Sequence, residues 1–278
     1  MKTLVKVRKD LQAAGRWDID FHLPAEGIKA FPKGLLKRVD EVADIAKDKR
    51  DPGREPETAF QYIDIAAVDV AVGLVSNPQD MEGAEAPSRA RKVVRAFDII
   101  VSTCRPTRGA IAVIPTRLHD QVASTAFSVV RPREGVNPFY LQYALRLPST
   151  LEQFRKWSTG SSYPAILDSD VRKTLIPIPT TDIQDEIAAR VMFALRARAK
   201  VIRSANASWV KTLSEITASL SGHTSTEQAE EEVTEDFEGF STNEIQAVIR
   251  SLKPLKVDKI SLTDIKVDLF SEESAAAD

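Results

Sequence analysis

The sequence predicts an α+β protein: a mixed α/β domain built on a twisted β-sheet over residues 1–180, followed by a long, coiled-coil-like helix over 181–222. Three observations predict it. β-like apolar runs recur at Ile99–Val101, Ala110–Ile114 and Ala126–Val130. Asn137-Pro138 then opens a helix among them, asparagine as N-cap and proline at the first helical position. Beyond Ile176-Pro177-Ile178-Pro179, apolar residues keep a 3/4 spacing for almost forty residues.

In chain order, Leu35, Leu36, Val39, Val42, Ala43 and Ile45 fall near a 3.6 period and predict a helix over 34–50, ended by Asp51, Pro52, Gly53 and Pro56. The alternation of Gln61–Ile65 predicts a strand. Gly73, Pro78, Gly83 and Pro87 predict a loop over 73–88. The turn Arg105-Pro106-Thr107-Arg108-Gly109 joins two of the β runs as a hairpin. A helix runs from Pro138 to Arg146, 158–164 is a polar loop, and 176–179 is extended because proline excludes helix for its predecessor. Asp182 is placed to cap the long helix. Its stripe comprises Ile187, Val191, Leu195, Ile202, Ala205, Trp209, Leu213, Ile216 and Leu220, at spacings of 4, 4, 7, 3, 4, 4, 3 and 4. Fully helical, 183–220 spans about 57 Å. Such a seam calls either for a partner helix or for a bend back onto its own domain. Ser221-Gly222 stops the helix. An acidic linker is predicted over 223–240 and a short amphipathic tail over 241–278, with a capping box at Ser241–Glu244 ahead of Ile245, Val248, Ile249 and Leu252.

Composition narrows the function. No window approaches about 18 uninterrupted apolar residues, which argues against a helical membrane span. The charged start at Lys2, Lys6, Arg8, Lys9 and Asp10 has no apolar stretch behind it, which argues against a secretory signal. A single cysteine, Cys104, excludes an internal disulfide, and His22, His119 and His223 show no ligand spacing. A cytoplasmic protein with no metal and no cofactor is expected. The net charge of −2 hides an asymmetry: residues 1–222 carry 33 basic and 26 acidic side chains, and 223–278 carry 5 and 14. The basic excess lies in 84–180, with 14 basic against 7 acidic residues. That is the pattern of a polyanion-binding domain with an acidic appendage, or of an ordinary solvated surface. The tail is then either a partner-docking arm or a mimic of DNA competing for the basic face.

Catalytic signatures are few. Asn137-Pro138-Phe139-Tyr140 is similar to the motif with which amino-methyltransferases grip a flipped base, but the second proline and a glycine-rich cofactor loop are missing, and N-cap chemistry explains Asn-Pro without catalysis. No phosphate-binding P-loop occurs. No catalytic residues are expected. Binding residues are easier to name. Arg105 and Arg108 flank Pro106 on a tight turn and fit phosphates or guanine edges, or else brace the hairpin against carboxylates such as Asp98. Thr159, Ser161, Ser162 and Tyr163 lie on a hydroxyl-rich loop suited to phosphate contacts, or simply to connection.

The order of segments resembles the DNA-specificity (S) subunits of type I restriction–modification systems, in a half-length form. The residues that carry the resemblance are Leu36–Ile45, Tyr62–Ile65, Ser88–Arg91, Asp98–Pro106 with Gly109, and Val122–Phe127. Asn137, Pro138, Tyr140 and Leu141 follow, then Thr159–Ser161 with Tyr163, Pro164 and Ile166, and Ile176–Pro179 with Gln184 and Glu186–Ala188. The likeness covers roughly residues 33–222. It implies a target recognition domain (1–180) that binds duplex DNA, with Arg89, Arg91, Lys92, Arg105, Arg108, Thr159, Ser161, Ser162 and Tyr163 as contacts. It implies a spacer helix (181–222) whose Ile187, Val191, Leu195, Ile202, Trp209 and Ile216 meet a partner or a second copy. Methyltransferase subunits, and a restriction subunit joining them, are the implied partners. A full S subunit has two recognition domains and two spacer helices, so a homodimer is the implied way for one of each to suffice. Thr180-Thr181-Asp182 departs from the family's proline-rich approach to the helix, and 223–278 has no counterpart. The same domain in another DNA-modification defence assembly, or a stand-alone DNA-binding regulator, are the alternatives.

Overall fold

The computed structural model describes residues 5–17, 19–160 and 162–221. The elements begin with α1 (Arg8–Ala14) and α2 (Ile19–His22), then β1 (Leu36–Arg38), α3 (Val39–Val42) and β2 (Ala43–Ile45). β3 (Ala59–Ile63), β4 (Val68–Asp69), β5 (Leu74–Val75), β6 (Gln79–Glu82) and β7 (Ala90–Val94) follow. Next come β8 (Ile99–Ser102), β9 (Ile111–Val113), β10 (Gln121–Ser124) and β11 (Phe127–Pro132). The last are α4 (Pro138–Leu145), α5 (Pro148–Trp157), α6 (Asp168–Lys173), β12 (Leu175–Pro177) and α7 (Thr181–Ser221).

The architecture is mixed α/β, in two stacked sheets and a helical layer. A six-stranded sheet runs β2-β11-β8-β9-β5-β4, a four-stranded sheet β6-β3-β10-β7, and β1 pairs β12 alone. The β8–β9 hairpin is antiparallel with Ile99 opposite Val113 and Val101 opposite Ile111. Alternation along these strands builds two cores. Ile99, Val101, Ile111, Val113 and Val130 face α4, α5 and α7, through Phe139, Leu141, Leu145, Phe154 and Met192. Ile100, Ala112, Ile114, Phe127 and Val129 face Ile63, Val94 and Ala123 of the other sheet.

Three sequence expectations are corrected. The periodic run over 34–50 is not one helix but β1, a single turn of α3, and β2. Its apolar spacing satisfies both readings, and pairing decides: Leu36 faces Pro177, and Ile45 faces Val130. The loop over 73–88 contains β5 and β6, and β6 pairs with β3. Asp182 lies inside the first turn of α7 rather than at its cap, because the helix starts at Thr181. Asn137 caps α4 as expected, its carboxamide oxygen accepting from the N–H groups of Phe139 (2.9 Å) and Tyr140 (3.1 Å).

α7 has 41 residues, about 62 Å of helix. Ile183, Gln184, Ala188 and Met192 are buried, and Ile187, Leu195 and Ala199 pack half-buried against the domain. Val191 is half-buried beside them. From Val201 onward the apolar side chains Ile202, Trp209, Leu213, Ile216 and Leu220 are exposed, Trp209 at 61%. The seam read from sequence is therefore two surfaces in succession, one covered by the chain's own domain and one bare. The segments 223–240 and 241–278, and Gly222, lie outside the described residues.

Candidate nucleic-acid interface

The hairpin turn is built by local chemistry. Buried Pro106 opens a 3-10 turn, Pro106–Arg108, whose other two residues are exposed, and Gly109 takes φ +71°, the left-handed conformation that turns the chain into β9. Arg105 precedes it in the same left-handed region, at φ +47° and ψ +53°. For a residue bearing a Cβ this conformation costs about 1–2 kcal/mol. What holds it is the loop 158–166, laid alongside the turn. The Arg105 N–H donates to the Pro164 carbonyl (2.7 Å), Ile166 N–H to the Thr103 carbonyl (2.9 Å), and Thr159 and Ala165 exchange a pair of backbone bonds (2.9 Å each). The Thr103 hydroxyl donates to the Ala126 carbonyl (2.8 Å), and the Ser102 hydroxyl to that of Cys104 (2.7 Å). On this scaffold the Arg105 guanidinium lies 4.9 Å from the ring centroid of Tyr163, which is itself 77% exposed.

Beside the turn opens a cleft of about 780 Å³. Its floor is apolar, with Ile65, Ala66, Ala110 and Ala126, and its rim carries Arg89, Arg105, Arg108 and Tyr163. Four of the residues expected to contact DNA are thus brought together from three separate stretches of chain. Among the described residues, none of the three arginines forms an ion pair. The bracing alternative is not what the fold uses: Asp98 is engaged instead by Arg131, whose Nε and Nη2 both lie 2.8 Å from its carboxylate oxygens.

The other candidates are placed differently. Arg91 pairs with Asp51 (3.4 Å) and donates to the Ala90 carbonyl (2.8 Å). Lys92, with little of its side chain exposed, pairs with Asp168 (3.4 Å). Both charges are held inside the domain's own network and away from the cleft. Thr159 and Ser162 are exposed on the neighbouring loop without lining the cleft, and Ser161 lies outside the described residues. Sequence reasoning missed Tyr62, Asp64, Cys104 and Ser124 as cleft residues. Tyr62 and Ser124 arrive there through the pairing of β10 with β3 and β7, which no local pattern announces.

The Asn137–Tyr140 motif is a joint. Asn137 is fully buried, so a base could not reach it. Its N–H donates to the Gln184 side-chain oxygen (3.1 Å), and its Nδ2 to the Asp185 carboxylate (2.7 Å). Gln184 Nε2 donates to the Pro179 carbonyl (2.9 Å), and the Tyr140 hydroxyl to that of Pro177 (2.8 Å). Burial pushes the Asp185 carboxyl above its ordinary range, against the Asn137 hydrogen bond that lowers it, with nearby Asp182 raising it further. The motif ties α4 to the root of α7.

Fold and cleft together give a two-sheet domain with an arginine-rimmed cleft, bonded at its base to a long helix. Comparison with known proteins finds similar chains. No protein-family model matches the chain. The type I restriction enzyme HindI specificity subunit of Haemophilus influenzae is 29% identical over 116 residues, covering 41% of this chain and 24% of that protein. The crystal structure of the HsdS subunit from Thermoanaerobacter tengcongensis is similar at 37% identity and a TM-score of 0.54, covering 70% of this chain and 50% of that one. A structure describing complex assembly and conformational transition of the type I R-M system matches at 35% identity and 0.54, covering 72% and 52%. The chain is similar to specificity subunits of type I restriction–modification systems. It spans about half the length of the solved subunits and about a quarter of the curated relative.

Proposed function

We propose that the chain binds a specific sequence in double-stranded DNA and directs a methyltransferase, with any associated restriction subunit, to that site. The observation that carries this reading is the cleft rim, where Arg89, Arg105 and Arg108 form no ion pair among the described residues and stand beside an exposed tyrosine, with Asp64 in the same cleft. A protein surface has little reason to keep three such guanidinium groups together unless an anion completes them. In this reading residues 1–180 form the target recognition domain, and 181–222 the spacer helix, working in the cytoplasm. The bare stripe of Ile202, Trp209 and Ile216 is the surface on which a second copy packs, giving a two-fold dimer that reads a palindromic, two-part site.

The test is fluorescence anisotropy with labelled duplexes across a salt series. Binding should weaken with a log–log slope of about −0.9 per phosphate neutralised. Arg108→Ala should flatten that slope by about one phosphate with the fold intact. Light scattering of the full chain with its methyltransferase should show a dimer that Ile202→Asp with Trp209→Asp splits; a monomer at micromolar concentration removes the dimer from the proposal. If no methyltransferase co-purifies with the tagged chain, the protein is a stand-alone DNA binder.

A further inference from the structure

We infer that Arg105, steadied by Tyr163, is the residue that reads a base, and that the base is guanine; this rests on the DNA-binding reading above. The three cleft arginines are not equivalent. Arg89 and Arg108 are exposed and, among the described residues, form no ion pair and no cation–π contact, although Asp64 lines the same cleft. Flexible, solvated guanidinium groups of this kind suit phosphates, which ask for charge and little else. Arg105 is half-buried, its backbone is held in a left-handed conformation by the loop 158–166, and its guanidinium rests against the Tyr163 ring at 4.9 Å. A residue kept in a costly backbone conformation, with its side chain oriented by an aromatic, is arranged for a geometric task rather than a purely electrostatic one.

Chemistry selects the base. A stacked guanidinium leaves its N–H edge available as two parallel donors. Guanine presents two acceptors, O6 and N7, on its major-groove edge. Adenine presents one acceptor and one donor there, so the fork meets a clash of like groups. Cytosine offers a donor, and thymine a single acceptor beside a methyl group. The half-site bound by this domain should therefore contain one guanine that cannot be replaced. Ala66, Ala110 and Ala126 line the cleft with apolar surface, while Tyr62, Asp64 and Ser124 supply its other polar groups.

The experiment is selection of the full chain against a randomised duplex pool, followed by sequencing of the bound fraction. The native chain should enrich one invariant guanine. Arg105→Lys keeps the charge but loses the fork, so it should lower the preference at that one position about ten- to a hundredfold and leave the salt slope unchanged. Tyr163→Leu, at an exposed position that does not threaten folding, should lower the same preference without moving any other. Retention of the full motif by Arg105→Lys, an equal loss of affinity on all sequences, or enrichment of an A·T run in place of guanine would overturn the inference while leaving DNA binding standing. Failure of the native chain to bind any duplex would overturn the DNA reading itself, and this inference with it.

Discussion

Arg131→Ala should be among the most destabilising single changes in the domain, and its size can be worked out from the pair it breaks. The Asp98 carboxylate is buried, with 2% of its side chain exposed, and holds three donors. Two come from the Arg131 fork at 2.8 Å, and the third is the Arg95 N–H at 2.9 Å. Removing Arg131 leaves a buried anion with one donor, a situation that costs about 3–5 kcal/mol. The pair also joins β11 to the approach of β8, an interior pairing of the large sheet. Against a total stability of about 5–15 kcal/mol, the loss is a large fraction of what holds the domain. Arg131→Met combined with Asp98→Leu removes both charges, leaves the Arg95 N–H unsatisfied and takes Arg131 away from the solvent-exposed Asp48 carboxylate (3.1 Å), a cost of about 1–2 kcal/mol. The double variant should therefore be more stable than the single one. Urea denaturation followed by circular dichroism reads this as a shift in midpoint at constant slope. A loss below about 1 kcal/mol for Arg131→Ala, or a double variant no more stable than the single, would refute the reasoning that burial of Asp98 sets the cost.

Arg105→Gly relieves about 1–2 kcal/mol of left-handed strain against about 0.5–1 kcal/mol of glycine entropy and a similar loss of the ring contact, so thermal melts should place it within about 1 kcal/mol of the native chain. Arg105→Ala keeps the strain and should fall about 1 kcal/mol below the glycine variant; equal melting of the two would contradict the assigned φ. Asn137→Ala removes the cap of α4 and the side-chain bond to Asp185 while keeping the backbone bond to Gln184, and should cost about 1–2 kcal/mol, with hydrogen exchange rising first at the α4–α7 joint. Arg133 holds the Asp44 carboxyl below its ordinary range, chiefly by direct hydrogen bonding. The stability from this exposed pair is thus present above the unfolded carboxylate value near 4 and lost as pH falls through the lower, folded one. Arg133→Gln should remove a component of about 0.2–1 kcal/mol that a urea titration series finds at pH 6 but not at pH 2.

The parts of the fold legible in the sequence were those fixed by neighbours. The strands at 99–102 and 111–113 show as unbroken apolar runs because each buries both faces between layers that flank them, and α4 shows because Asn137 and Pro138 settle its start within one turn. The run over 34–50 misleads because the partners that make it two strands, β12 and β11, lie far along the chain. β7 and β10 are short, and much of their length is polar or small, so their pairing is invisible until they meet. In the cleft, Arg105, Arg108 and Tyr163 were legible from turn chemistry and family likeness. Arg91 and Lys92 looked the same in sequence, and only Asp51 and Asp168 distinguish them. The buried line of α7 was not read because Gln184 is polar and Ile183, Ala188 and Met192 lie beside, not on, the seam through Ile187, Val191 and Leu195.

The bond between Asn137 and the root of α7 turns the bare end of the helix into the hand of a clock. Each residue inserted beyond Ala199 advances the tip by about 1.5 Å but swings its apolar stripe by about 100°. One added residue therefore changes reach very little and direction a great deal, while seven return the stripe almost to its original bearing, about 10 Å further out. Changes of length in this stretch that keep the stripe aimed should come in steps of seven, or of three and four in alternation. The orientation of whatever grips Trp209 relative to the cleft is then a whole-number property of the chain.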